Sequence, residues 1–188
     1  LPINAAVIDS SITNAYGRTG VTSEIISPPS AVGNDNHQVD VLYAFNELQD
    51  FTLTDDLRLD GSSVISAGTI VTSHYVFYDP RLYTEIGGTF TFDTDILGVI
   101  SETSALSDSD FLGATGTSYL SPSLRGLEGE DSYSFLDEIL NINFKARTPG
   151  DYIRVITAGA PVPIPAAAWL FVSGLLGLIS YSNRNKTA

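Results

Sequence analysis

Residues 139–146 read ILNINFKA, and they decide the fold class. Leu140, Ile142 and Phe144 fall on one face of an extended chain, and Asn141, Asn143 and Lys145 on the other, because successive side chains of a strand alternate. A strand that is dry on one face and wet on the other belongs to an antiparallel sheet covering a core. GTFTFD at 88–93 repeats the pattern, with Phe90 and Phe92 set against Thr89 and Thr91. Outward from these, VDVLYAFNE (39–47), TIVTSHYVFYD (69–79), LGVISE (97–102) and DYIRVITA (151–158) are short and rich in β-branched and aromatic residues, and Gly, Pro, Asp or Ser bounds them, as strands require. NFKARTPGDYIRV (143–155) reads as strand, Pro-Gly turn, strand. One short helix is expected in SALSDSDFLG (104–113), with a Ser or Asp cap, acidic first-turn residues and Gly113 closing it. GVTSEIISPPSAVGNDNHQ (20–38), with Pro28-Pro29 and a polar Gly/Asn/Asp run, reads as a long loop or a mobile N-terminal connection. The sequence therefore predicts an all-β, antiparallel, jelly-roll-like β-sandwich over residues 1–158.

The chain has 188 residues, of which 43% are apolar, enough for one ordinary core. Its formal charge is −13, and residues 1–151 hold all 22 acidic side chains against 6 basic ones. So anionic a surface repels phosphate backbones, and no nucleic-acid partner is expected. With no cysteine there is neither a disulfide framework nor a thiolate metal site. The opening LPINAAVIDS suits either the end of a secretory signal, with small residues at Ala5 and Ala6, or an extended first segment.

The C-terminal region differs from the rest. AGAPVPIP (158–165) is a proline-rich linker, and Ala166 to Ser182 run 17 residues without a charge. As a helix that run would be roughly 26 Å long, close to the ~30 Å hydrocarbon core of a bilayer. Residues 166–188 are thus expected to form a transmembrane helix and a short basic tail, with Arg184 and Lys186 as the cytoplasmic stop. VPIPAAAWLF, then SGLLGLI and a basic end, resembles the PEP-CTERM class of sorting signals in its VPLPA variant, carried by exported proteins of Gram-negative bacteria. Ile164 stands where Leu is usual. The resemblance implies that Val162, Pro163, Ile164, Pro165 and Ala166 form the recognition motif. It also implies an exosortase-type membrane protease as partner, transient anchoring in the inner membrane, and delivery to the cell surface or its polysaccharide layer. TIVTSHYVFYDP, FDTDILGVISETSALSDSDFLG, YLSPSLRGLEGEDSY and TPGDYIRVIT are similar to a recurrent secreted domain of exosortase-sorted proteins to which no activity is attached.

No GxSxG, HExxH, P-loop or GxGxxG motif is present. Ser73, His74 and Asp79 offer triad chemistry, but a separation of five on a strand sends His74 and Asp79 to opposite faces. His74 is expected to pack among Tyr75, Phe77 and Tyr78. No enzymatic activity and no organic cofactor are expected, and a secreted hydrolase ranks third among the functional readings. Calcium is the stronger site hypothesis, since extracellular calcium sites gather carboxylate and carbonyl oxygens on loops. Asp93 and Asp95 in FDTD and Asp108 and Asp110 in SDSD are the candidate ligands; Asp60 and the acids of EGED (128–131) are of the same type. Tyr43, Tyr75, Tyr78, Tyr83, Tyr119 and Tyr133 could offer faces to sugar. The leading expectation is a structural or binding protein of the cell surface or extracellular matrix, associated with exopolysaccharide or biofilm. The alternative is a calcium-dependent carbohydrate-binding module.

Overall fold

The structure, a computed structural model, describes residues 5–159. The sorting motif Val162–Ala166, the membrane segment 166–188 and its stop residues Arg184 and Lys186 lie outside the described residues. In chain order the strands are β1 (Val7–Asn14), β2 (Thr22–Ile25), β3 (Ala31–Val32), β4 (Val41–Asn46), β5 (Phe51–Thr52), β6 (Leu57–Arg58), β7 (Val64–Ile65), β8 (Ile70–Tyr78), β9 (Thr84–Phe92), β10 (Ile96–Ile100), β11 (Ser118–Tyr119), β12 (Ser132–Leu136), β13 (Ile139–Ala146) and β14 (Asp151–Ala158). One helix, α1 (Thr103–Asp108), follows β10. Among the described residues no helix is long and apolar enough to cross a membrane.

A four-stranded sheet in the order β1-β9-β13-β12 faces a sheet in the order β10-β14-β8-β4-β2, which also takes β5 onto β8. Between them lies a core to which β13 gives Leu140, Ile142 and Phe144, β9 gives Phe90 and Phe92, and the second sheet gives Leu42, Val76, Ile153 and Val155. Each such side chain, once buried, contributes about 1.5–3 kcal/mol. The alternation in ILNINFKA and GTFTFD is realised as expected, with Asn143 and Thr89 on the outer face bonding Tyr16 and Asn141.

The second sheet departs from the half-buried pattern, for β8 and β14 are covered on both faces. Their outer side chains, Tyr75, Phe77, Tyr152 and Ile156, meet a third layer built from Val32, Leu53, Leu57, Leu59, Leu106 and Leu112. That layer is made of short pieces, the β6·β7 hairpin, β3 paired with β11, and α1.

Three local expectations are corrected. The stretch 20–38 is not all loop: β2 pairs in parallel with β4, and β3 in parallel with β11, so the sheets are not wholly antiparallel. The helix lies where it was expected, yet its N-cap is Glu102 with no side-chain cap bond; Asp110 instead opens a 3-10 turn (Asp110–Leu112) that Gly113 closes. His74 points into the inter-sheet core against Phe92, with ring centroids 4.8 Å apart, whereas Tyr75 and Phe77 lie on the opposite face of β8.

Candidate functional site

The four aspartates expected to ligate calcium are placed in two different settings. Asp93 follows β9, where Oδ1 accepts the Ala6 N–H at 2.6 Å and fastens the start of β1. The Asp95 side chain is exposed, and its carbonyl accepts the Ala158 N–H. Asp108 is exposed at the end of α1, in a cleft of about 890 Å³ that it shares with Asp56, Asp60 and Glu102. Asp110 turns inward, and its oxygens accept from Arg125 Nη1 and Nη2 at 3.0 and 2.8 Å and from Arg154 Nη2 at 3.2 Å. Asp110 is thus already engaged by two guanidinium groups.

Among the described residues one group of three acidic side chains does converge: Glu128, Asp131 and Asp151, each offering an oxygen within 4.8 Å of the others. Glu128 and Asp131 belong to the EGED turn before β12, where the Asp131 N–H donates to the Glu128 carbonyl at 3.0 Å. Asp131 is fixed from two sides, Oδ2 accepting the Glu128 N–H at 2.8 Å and Oδ1 the Lys145 N–H at 2.7 Å. Asp151 opens β14 on the face that looks into the core, in register with Tyr78. Gly150 before it has φ +102°, and a Cβ there would lie 2.6 Å from the Tyr78 carbonyl oxygen, so the chain turns into β14 where a side chain would not fit. Asp151 is 2% exposed and its Oδ2 has no hydrogen-bond partner. Burial, then the charges of Asp131 and Glu128, pushes its pKa up to about 9. Ionised carboxylates only accept, so these three cannot bond one another without a proton or a cation between them.

A second polar cluster lies between the outer face of β14 and α1. Arg154 is fully buried; Nε and Nη2 reach Glu47 at 2.7 and 2.9 Å, and Nη1 reaches the Leu106 carbonyl and Ser109 Oγ at 3.0 and 2.6 Å. Its guanidinium stands over the rings of Tyr75 and Tyr119. Burial opposes the charge, but the Glu47 carboxylate outweighs it and holds the Arg154 pKa above its ordinary value. Arg125 reaches the cluster from a loop whose Gly126, at φ +114°, passes backbone against backbone at Ser101 and Thr103. Each charge has a partner, as a buried ionic group needs.

Ser73, His74 and Asp79 do not assemble into a triad. Ser73 Oγ donates to Glu47 at 2.5 Å, on the outer face. Asp79 accepts from the backbone of Asp35 and Asn36 and from the Tyr152 hydroxyl. His74 meets Asn46 Oδ1 at 2.8 Å and Thr157 Oγ1 at 3.0 Å, and burial pushes its pKa down to about 3. Of the tyrosines considered as sugar platforms, Tyr43, Tyr75 and Tyr78 are core residues, Tyr119 and Tyr133 are half-buried with hydroxyls on Glu47 and Asp60, and Tyr83 is exposed.

Compared with known proteins, the chain matches no family model, no curated protein and no solved structure. EGED is visible in the sequence as an acidic cluster, whereas its partner Asp151 and the buried pairing of Glu47 with Arg154 emerge only in the fold. The one available signal was a charged residue at each of two positions, 151 and 154, in the otherwise apolar DYIRVITA.

Proposed function

We propose that the protein is exported and works, without catalysis, at the cell surface or in the extracellular matrix, in a structural or binding role associated with exopolysaccharide or biofilm. The observation that carries this reading is the sequence at the C-terminus: Val162-Pro163-Ile164-Pro165-Ala166, an uncharged run, then Arg184 and Lys186. On this reading residues 166–188 hold the chain in the inner membrane as a helix until an exosortase-type protease acts near the motif. The body is a jelly-roll-like sandwich, a reading supported by the way the chain changes sheet between β8 and β9 and again between β13 and β14. Its acidity leaves cations, neutral sugars and basic surfaces as partners and offers no surface for nucleic acid.

The test is the intact mass of the protein recovered separately from membranes and from the extracellular fraction of producing cells. A species ending near Pro163 to Ala166 outside the cell is the expected result. Full-length protein confined to membranes would make the segment a permanent anchor and end the sorting reading.

A calcium-dependent carbohydrate-binding role is the second reading, favoured by the convergence of Glu128, Asp131 and Asp151. The burial of Tyr43, Tyr75 and Tyr78 removes three of the side chains that would have stacked on sugar.

A further inference from the structure

We propose that Glu128, Asp131 and Asp151 form a calcium site that fastens the turn before β12 to the first residue of β14. The proposal stands apart from the delivery reading, since it concerns the sandwich and holds whether or not the tail is cut.

The first argument is the state of Asp151. It is a 2% exposed carboxylate whose Oδ2 has no partner, and it faces two further carboxylates with an oxygen of each within 4.8 Å. A carboxyl so placed must either keep its proton, as burial favours, or exchange it for a cation set among the three acids. None of the ion pairs among the described residues involves these three acids, and the nearby Lys145 ammonium lies instead 3.9 Å from Glu85 and 3.8 Å from Glu130. A divalent cation at the centre of the group would take an oxygen from each of the three.

The second argument is size and donor type. Calcium holds oxygen ligands at about 2.3–2.6 Å, so two oxygens on one shell are at most roughly 5 Å apart. The 4.8 Å limit on this group falls inside that figure. Magnesium demands near-ideal octahedral geometry and gives up its waters reluctantly, so a site of three protein carboxylates suits it less. All three donors are hard carboxylate oxygens. Asp131 is already oriented by two backbone N–H groups, and each of its oxygens keeps a lone pair for a metal. Glu128 is exposed and Asp131 half-buried, which leaves an open side on which water completes the coordination.

The consequence is mechanical coupling between the sheets. Asp151 belongs to the sheet that contains β8 and β14, while Asp131 leads directly into β12 of the other. A shared ion would hold the two sheets together at this end of the core.

The experiment uses the full 188-residue chain, stripped with EGTA and then titrated with CaCl2, followed by circular-dichroism melting and calorimetry. Tm is expected to rise by about 5–10 °C at a hundredfold excess over Kd, with a smaller rise in MgCl2. Asp151→Asn and Glu128→Gln are expected to lose most of that rise, and Asp93→Asn and Asp95→Asn to keep it. Glu128 is exposed, so its variant reports on binding even where the Asp151 variant does not fold. No calcium response in the unaltered chain, a response undiminished in Glu128→Gln, or one lost in Asp93→Asn would overturn the proposal.

Discussion

His74 shows how one side chain sets a pH limit on the whole sandwich. Asn46 Oδ1 already accepts the Val7 N–H at 3.0 Å, so His74 Nδ1 donates to that oxygen and Nε2 accepts from Thr157. Protonation would place a second N–H against the Thr157 hydroxyl inside a dry core, and burial therefore lowers the pKa from 6.5 to about 3. Between those values the unfolded chain binds the proton and the folded chain does not. Stability is accordingly full above the unfolded pKa and declines as pH falls from about 6.5 towards 3, by about 1.4 kcal/mol per pH unit. Urea unfolding from pH 7 to pH 4 should show a steeper loss for the native chain than for His74→Gln. Parallel profiles would mean that the imidazole takes its proton without unfolding the core.

At the scale of elements, the third layer is fastened to the second sheet by charge as well as by leucines. Arg154 on β14 bonds the Leu106 carbonyl and Ser109 at the end of α1 while holding Glu47 beyond β4. Replacing Glu47 by Ala leaves the buried guanidinium with Asp110 alone as an anionic partner and should cost about 3 kcal/mol, whereas adding Arg154→Met to it should restore much of that loss. Urea midpoints of the two single variants and the double variant check this, and additive losses would show that the two side chains act independently. The same layer explains what the sequence could and could not disclose. β9 and β13 were legible because their outer faces meet water, which leaves a period of two in Thr89, Asn141 and Asn143. IVTSHYVFY carries no such period because the segments that cover its outer face come from distant places in the chain. TSEI in β2 is polar and pairs in parallel at an edge, so nothing local distinguishes it from loop. The carboxylate group was half legible: EGED announces itself, but Asp151 joins it only through the turn between β13 and β14.

At the scale of the whole molecule, the last described strand is not at a border. β14 lies between β10 and β8, and its eight residues pair in register with β8 from Asp151↔Tyr78 to Ala158↔Val71. The chain leaves the sandwich from that strand towards residues 160–188. A pull applied through the C-terminal segment therefore loads β14, and the ladders on both sides must give way together; a strand at a border, such as β12, is held by one ladder. Single-molecule extension with one handle after residue 159 should show high rupture forces, and markedly lower ones when a handle is moved to β12. Equal forces would mean that the core rather than the ladder resists extension. A domain tethered by this end in flowing water would bear drag through a strand bonded on both sides.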